Sequence, residues 1–318
     1  MAELIRPQWS GKGGIPGEVT SATIPVAGLS RPLRMMHISD THISVGQGDS
    51  QEKFELLQNA LQTARAANAE CIVHTGDGIH GEDPAAVTSL QAVLGDVGLP
   101  FYFISGNADW MLSEQSAADA AAAANNVEPN ADSQPDPTPT EIQVLRQQRL
   151  LRTVTPLYRG AGLSHWVREL PAGLTVVGVD NSSGVVDAEQ LEAVRSVDAK
   201  HKPWVLLCHI PLHLPSMKAA LPGTIFCGEE GCGGQPTTAT TKGFVQLLQQ
   251  STSVVAVLCG HIHQAQAHRL HQEADDESGS RKTTSGGGGG GVMLVTAATK
   301  DGGSRLLDFV PAPVAAKM

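Results

Sequence analysis

Five short apolar runs end in residues whose types suit metal coordination. LRMMHI (33–38) runs through Ser39 into Asp40-Thr41-His42, and CIVHT (71–75) into Gly76-Asp77. FYFIS (101–105) leads to Gly106-Asn107-Ala108-Asp109, WVLLC (204–208) to His209, and VVAVLC (254–259) to Gly260-His261-Ile262-His263. Together they offer two carboxylates, one amide and four imidazoles: Asp40, His42, Asp77, Asn107, His209, His261 and His263. Brought together without a cation, such groups repel or shift their pKa values to discharge. Two divalent cations against two carboxylates leave a net charge of 4 − 2 = +2, which suits a phosphate oxyanion and a hydroxide. The mixed nitrogen and oxygen donors fit Mn, Fe, Zn or Ni without choosing among them. Taken singly, each motif reads as an ordinary turn or strand-end histidine. Five in this order, each after an apolar run, do not. His261 and His263 stand at i and i+2, a spacing that puts two side chains on one face of a strand.

Runs of five or six apolar residues bounded by glycine and polar residues predict buried strands. In an α/β sheet the carboxyl ends of such strands open on one crevice, where ligands bind. Helical spacing lies between the runs. Phe54, Leu57, Leu61 and Ala64 repeat with Ser50 placed to cap, and Asp83-Pro84 opens a second helix through Val87, Leu90 and Leu94. Asp187 with Gln190 marks a third start before Leu191 and Val194, and Phe244, Leu247 and Leu248 a fourth. Strand and helix in alternation predict an α/β sheet. The later runs LTVVGV (174–179), AQAHRL (265–270), VMLVTA (292–297) and RLLDFV (305–310) lack room for helices between all of them and predict an antiparallel meander. The expected result is two packed sheets with helices outside.

The chain has 318 residues, with 22 Lys and Arg against 32 Asp and Glu, so its formal charge is 22 − 32 = −10. That balance disfavours a grip on nucleic-acid polymers or an anionic membrane. No apolar run reaches the ~18 residues of a membrane span. Five cysteines, 71, 208, 227, 232 and 259, do not make a disulfide scaffold, and the CGEEGCGG stretch reads as a glycine-rich loop over the site rather than half a zinc knuckle. The opening MAELIRPQWSGKGG lacks the apolar core of a secretory signal, so a cytoplasmic protein is expected, with an organellar transit peptide still open. Residues 1–31 read as a tail or loosely packed extension and 32–312 as the domain. Low-complexity insertions fall at about 112–140 and 272–291, the latter holding the acidic ADDE (274–277) and ending in six glycines. His37 and His74 lie within strand bodies and read as structural.

The ordered set Asp40-x-His42, Gly76-Asp77, Gly106-Asn107, His209 and Gly260-His261-x-His263 resembles the calcineurin-like metallophosphoesterase superfamily over roughly residues 33–310. The resemblance implies an α/β, four-layer αββα sandwich of two mixed sheets flanked by helices, with a dinuclear metal centre. It implies that Asp40, His42, Asp77 and His263 hold one divalent cation, and that Asp77 bridges to a second held by Asn107, His209 and His261. The implied activity is hydrolysis of a small-molecule phosphomonoester or diester by a metal-bridging hydroxide, with Asn107 and His209 orienting the phosphate. Asp109 either acts in catalysis or holds a neighbour by hydrogen bonding.

Two departures stand out. The Ser/Thr phosphatases of this superfamily read Gly-Asp-x-x-Asp-Arg-Gly and Arg-Gly-Asn-His-Glu, where this chain has Gly76-Asp77-Gly78-Ile79-His80 and Ser105-Gly106-Asn107-Ala108-Asp109. Many members carry a histidine at the position of Ala108 that protonates the leaving group or steadies the phosphate. Its absence leaves two readings: an enzyme in which His80, His74 or His213 substitutes, or a non-catalytic metal-binding or scaffold protein on the same fold.

Overall fold

Every ligand-bearing run forms a strand, and two sheets share them. The computed structural model describes residues 19–46, 48–80, 83–110, 154–158, 161–213, 238–270, 291–296 and 298–312. The insertion at 112–140, the insertion at 272–291 apart from Gly291, and the Cys227–Cys232 loop lie outside the described residues. The first sheet contains β1 (Val19–Val26), β2 (Leu33–Ile38), β3 (Cys71–His74), β4 (Phe101–Phe103) and β11 (Ser304–Pro311), in the order β1-β11-β2-β3-β4. β2, β3 and β4 run parallel, β11 lies antiparallel to β2, and β1 runs parallel to β11.

The second sheet contains β5 (His165–Glu169), β6 (Thr175–Val179), β7 (Trp204–Leu207), β8 (Val254–Cys259), β9 (Gln266–Arg269) and β10 (Val292–Val295), in the order β5-β6-β7-β8-β10-β9. Its four inner strands are parallel, with antiparallel β5 and β9 at the edges. Both sheets are therefore mixed. Among the described residues four helices flank them: α1 (Ser50–Ala66), α2 (Pro84–Val97), α3 (Ala188–Asp198) and α4 (Ala239–Gln250).

Side-chain alternation along the second sheet separates two cores. Val176, Val205, Leu207, Ala256 and Leu258 pack with the first sheet and the inner faces of α1 and α2, including Leu57, Leu61, Leu90 and Leu94. Their neighbours Val177, Leu206 and Val257 face the other way, onto Leu191 and Val194 of α3 and Phe244 and Leu248 of α4. Strands covered on both faces read as unbroken apolar runs, as these do in sequence.

Three local expectations change. The four later runs do not form a meander. Helix α3 lies between β6 and β7 and makes them a parallel crossover pair, β10 inserts between β8 and β9, and β11 crosses to the other sheet. Residues 19–26, inside the segment read as a tail, form an edge strand in which Ala22, Ile24 and Val26 are buried and alternate with half-buried residues. The cap position of α1 is Asp49, without a side-chain cap bond, and Ser50 is the first helical residue. The starts of α2 and α3 follow their sequence signals. Asp83 accepts from Ala86 N, and Asp187 and Gln190 form a capping box; at α4, for which the sequence reading marked no start residue, Thr238 accepts from Thr241 N.

Candidate metal centre

The loops after β2 and β3 are zipped together by backbone bonds. Asp40 N donates to Gly76 O (2.9 Å), His42 N to Asp77 O (2.9 Å) and Ile43 N to Gly78 O (3.0 Å). Five of the seven expected ligands sit in left-handed backbone: Asp40 (φ 52°), His42 (44°), Asp77 (53°), His261 (71°) and His263 (54°). That region is uncommon for residues with a side chain and clusters at functional sites. His261 and His263 thus lie in a turn beyond β8 rather than on a strand face. The motif glycines make room for this crowding. A Cβ on Gly76 (φ 95°) would come within 2.5 Å of Gly106 N and 2.7 Å of His209 Nδ1, and one on Gly260 would overlap Ser39 Oγ and Asp40 Oδ2.

Two groups of donor atoms result. Those of Asp40, His42, Asp77 and His263 lie within 4.8 Å of one another, as do those of Asp77, His209 and His261. In the first group, His42 Nε2 is 3.5 Å from Asp77 Oδ2 and 3.3 Å from His263 Nε2, which is 3.3 Å from Asp40 Oδ1. In the second, His209 Nε2 is 3.4 Å from Asp77 Oδ1, 3.1 Å from His261 Nδ1 and 3.1 Å from Asn107 Oδ1. Asp77 turns one oxygen to each group. All seven sequence-selected ligands are therefore brought together.

Supporting contacts fix their orientation. The His209 Nδ1–H donates to Thr75 O (2.7 Å), which turns Nε2 inward. Asp40 accepts from the His261 amide. Asn181 Oδ1 accepts from His209 N (2.9 Å) and Ile210 N (3.0 Å), while its Nδ2 donates to Ile210 O. Ser105 precedes Gly106-Asn107. Its hydroxyl donates to Asp180 Oδ2 (2.8 Å) and accepts from Trp110 Nε1 (3.0 Å), and its amide donates to the Tyr158 hydroxyl (2.9 Å). Asp180 and Asn181 escaped the sequence reading, although they follow an apolar run as the chosen ligands do.

Charge in the centre is internally balanced. Burial pushes the Asp40 carboxyl up, but the His263 bond and the charges of His209 and His263 hold it well below the usual carboxylate range. Burial likewise opposes ionisation of Asp77, and His209 overcomes it. Burial would lower His209, yet Asp77, Asp40 and the Thr75 carbonyl lift it to about 10. Imidazole nitrogens facing each other at 3.1–3.3 Å need a proton or a cation between them. The donor set fits a pair of divalent cations, whose arrival displaces such protons.

Asp109 behaves differently from the ligands. It is fully buried, with Oδ1 accepting from Ile79 N (2.9 Å) and Oδ2 from Gly106 N (2.8 Å). Burial, reinforced by the charge of Asp77, pushes its carboxyl up to about 8 despite those two bonds. Both oxygens are committed to backbone, so the geometry supports the holding role over the catalytic one. Asp109→Asn leaves one of the two amides facing an NH₂ group. The expected cost is about 1–3 kcal/mol of stability and a loss of metal affinity of roughly 10–100-fold, read by chemical denaturation and metal titration.

His74 is also fully buried. Because Thr41 Oγ1 gives its proton to Gly78 O (2.7 Å), His74 Nε2 donates to that hydroxyl (3.1 Å), and Nδ1 accepts from Gly76 N (3.1 Å). His37 sits between Thr75 Oγ1 (2.9 Å) and Thr296 Oγ1 (2.8 Å), also fully buried. Both therefore brace the ligand loops. His80 and His213 are exposed.

The family model for calcineurin-like phosphoesterases matches residues 33–265. Among solved structures, a dimetal phosphatase from Danio rerio superposes with a TM-score of 0.50 at 13% identity, covering 85% of this chain and 88% of that one. A purple acid phosphatase from yellow lupin (Lupinus luteus) seeds gives a TM-score of 0.48 at 14% identity, covering 94% of this chain and 49% of that one. At such identity the likeness is one of fold. No curated protein sequence matches the chain. Among the described residues no helix is long and apolar enough to cross a membrane.

Proposed function

The chain belongs to the calcineurin-like phosphoesterase family, and from that premise we propose that it hydrolyses small-molecule phosphoesters at a centre of two divalent cations. The observation that carries this reading is Asp77, whose Oδ2 faces His42 while Oδ1 faces His209. One carboxylate shared between two donor groups is the geometry of a bridging ligand.

Asp40, His42, Asp77 and His263 would hold one cation, and Asp77, Asn107, His209 and His261 the other. When bound, such a pair supplies Lewis acidity and a hydroxide nucleophile at neutral pH. The protein's part is placement. The left-handed ligand residues and the glycines between them set the donor atoms. The Thr75 carbonyl and Asn181 fix the His209 ring and backbone, and the Asn107 amide and His209 orient the phosphate. Asp109 acts as a positioning residue by clamping Ile79 and Gly106.

The test is reconstitution. Chelator-stripped protein given Mn is expected to bind close to two ions per chain. It is also expected to regain hydrolysis of para-nitrophenyl phosphate or its bis-aryl diester, and to lose it again on chelation. One observation favours a second reading: Ala108 is buried and offers only its amide, to Asp77 Oδ1 (2.7 Å). Two bound ions without turnover of either ester class would establish the scaffold reading in place of the hydrolase.

A further inference from the structure

Resting on the two-cation reading above, we infer that the consecutive residues Asp180 and Asn181 are positioning residues for the second cation alone, holding Asn107 and His209 together from one strand end. Both follow β6, and neither belongs to either donor group. Successive side chains along a strand leave in opposite directions, and these two reach loops of different sheets.

Asp180 reaches the loop after β4, in the first sheet. Its Oδ2 accepts the hydroxyl of Ser105 (2.8 Å), two residues before Asn107, and its Oδ1 accepts from Ser182 N (2.9 Å). With its proton given to Asp180, the Ser105 oxygen accepts from Trp110 Nε1 (3.0 Å) and from the Tyr158 hydroxyl (2.7 Å), whose oxygen accepts in turn from Ser105 N (2.9 Å). Ser105 and Trp110, on either side of Asn107 in the chain, are thereby tied together. Asn181 reaches the loop after β7, in its own sheet, where it takes the amides of His209 and Ile210 and donates to Ile210 O. The two lines of bonds meet where His209 Nε2 stands 3.1 Å from Asn107 Oδ1.

The start of α3 fixes the pair from outside the centre. Asp180 N donates to Ser164 O (2.8 Å), and Nε2 of Gln190, in the capping box, donates to Asp180 O (2.7 Å) and Ser164 O (3.0 Å). Ser105, Asn181 and Gln190 are buried, so a cut bond strands a polar group away from water. Other bonds hold the first group: Asp40 N to Gly76 O, His42 N to Asp77 O, and the His261 amide to the Asp40 carboxylate. Loss of Asp180 or Asn181 therefore loosens Asn107 and His209 and leaves Asp40 and His42 in place.

The test titrates the chelator-stripped full chain with Mn and follows each binding step. His263→Ala and Asn107→Ala identify which step belongs to which group. Asn181→Ala and Ser105→Ala are each expected to weaken the step that Asn107→Ala removes by about 10–100-fold, and to change the other by less than about 3-fold. At two equivalents of Mn their electron paramagnetic resonance spectra are expected to show isolated ions where the wild type shows a coupled pair. Ser105→Thr, which keeps the hydroxyl, is expected to restore the weakened step. The two alanine variants cut separate lines of bonds, so either one decides the matter if the other does not fold. Equal weakening of both steps, or no weakening of either, overturns this assignment alone. A wild type that binds fewer than two ions overturns the two-cation reading itself, and this assignment with it.

Discussion

On the proposed hydrolase reading, Asp77→Asn is expected to lower phosphoester turnover by about 10³-fold or more, equivalent to roughly 4 kcal/mol in the barrier, and to leave the chain with fewer than two bound ions. The amide retains one oxygen of the same shape. Placed at Oδ1, it still accepts the 2.7 Å bond from Ala108 N and keeps the loop in place. What it loses is the charge and the second donor oxygen, the one that faces His42 at 3.5 Å. The negative charge shared by the two donor groups is lost to both at once, so the loss exceeds that at any ligand serving one. Ion content by elemental analysis, turnover of an aryl phosphate and the unfolding midpoint check it together. Full activity with full ion content would remove the basis of the proposed centre. A lowered unfolding midpoint with unchanged ion content would make Asp77 a structural residue.

His74→Gln flattens the decline of stability in acid by about 1.4 kcal/mol per pH unit. The His74 ring is held neutral, its pKa lowered from the ordinary histidine value to about 3, chiefly by burial. Burial also lowers His37, well below the ordinary value. For a base lowered in the fold, the unfolded chain binds the proton first. Stability is then complete above the unfolded value of about 6.5 and falls as pH drops toward the folded value. Asp109 and Asp180, raised mainly by burial, act in the opposite sense over part of the same range. The readout is therefore the difference between wild type and variant. Urea denaturation of chelated protein between pH 7 and 5 should give parallel lines only if His74 is charged in the fold, and parallel lines would refute the assignment. The variant also loses a brace, so its midpoint falls at every pH, but only the slope reports the proton.

The seven candidate ligands were legible because each stands at or just beyond the end of an apolar run, behind a glycine at Asp77, Asn107 and His261 and without one at Asp40, His42 and His209. The same rule applied to LTVVGV would have reached Asp180 and Asn181, whose contacts with Ser105 and with the His209 backbone are longer in range but begin at the same kind of strand end. The left-handed conformation of five ligands was not legible, since it depends on loops separated in sequence and pressed together at Gly76, Gly106 and Gly260. His37 and His74 were read correctly as structural from their place inside apolar runs. Asp109 was ambiguous because a buried carboxylate bonded to two amides and a catalytic one look alike in sequence. The parallel placement of β6 and β10 was hidden for a related reason: strand pairing is set by what each strand meets across the sheet, while run spacing reports only the connections.

β11 lies between β1 and β2 and follows every other described strand in chain order. During synthesis the ribosome delivers β2, whose end bears Asp40 and His42, long before the neighbour that will cover one of its edges. Until then that edge is bare, and its partner-to-be is still inside the exit tunnel or not yet translated. The pairing order is thereby set by topology: every strand of the second sheet has been made before β11 arrives to cover that edge of β2.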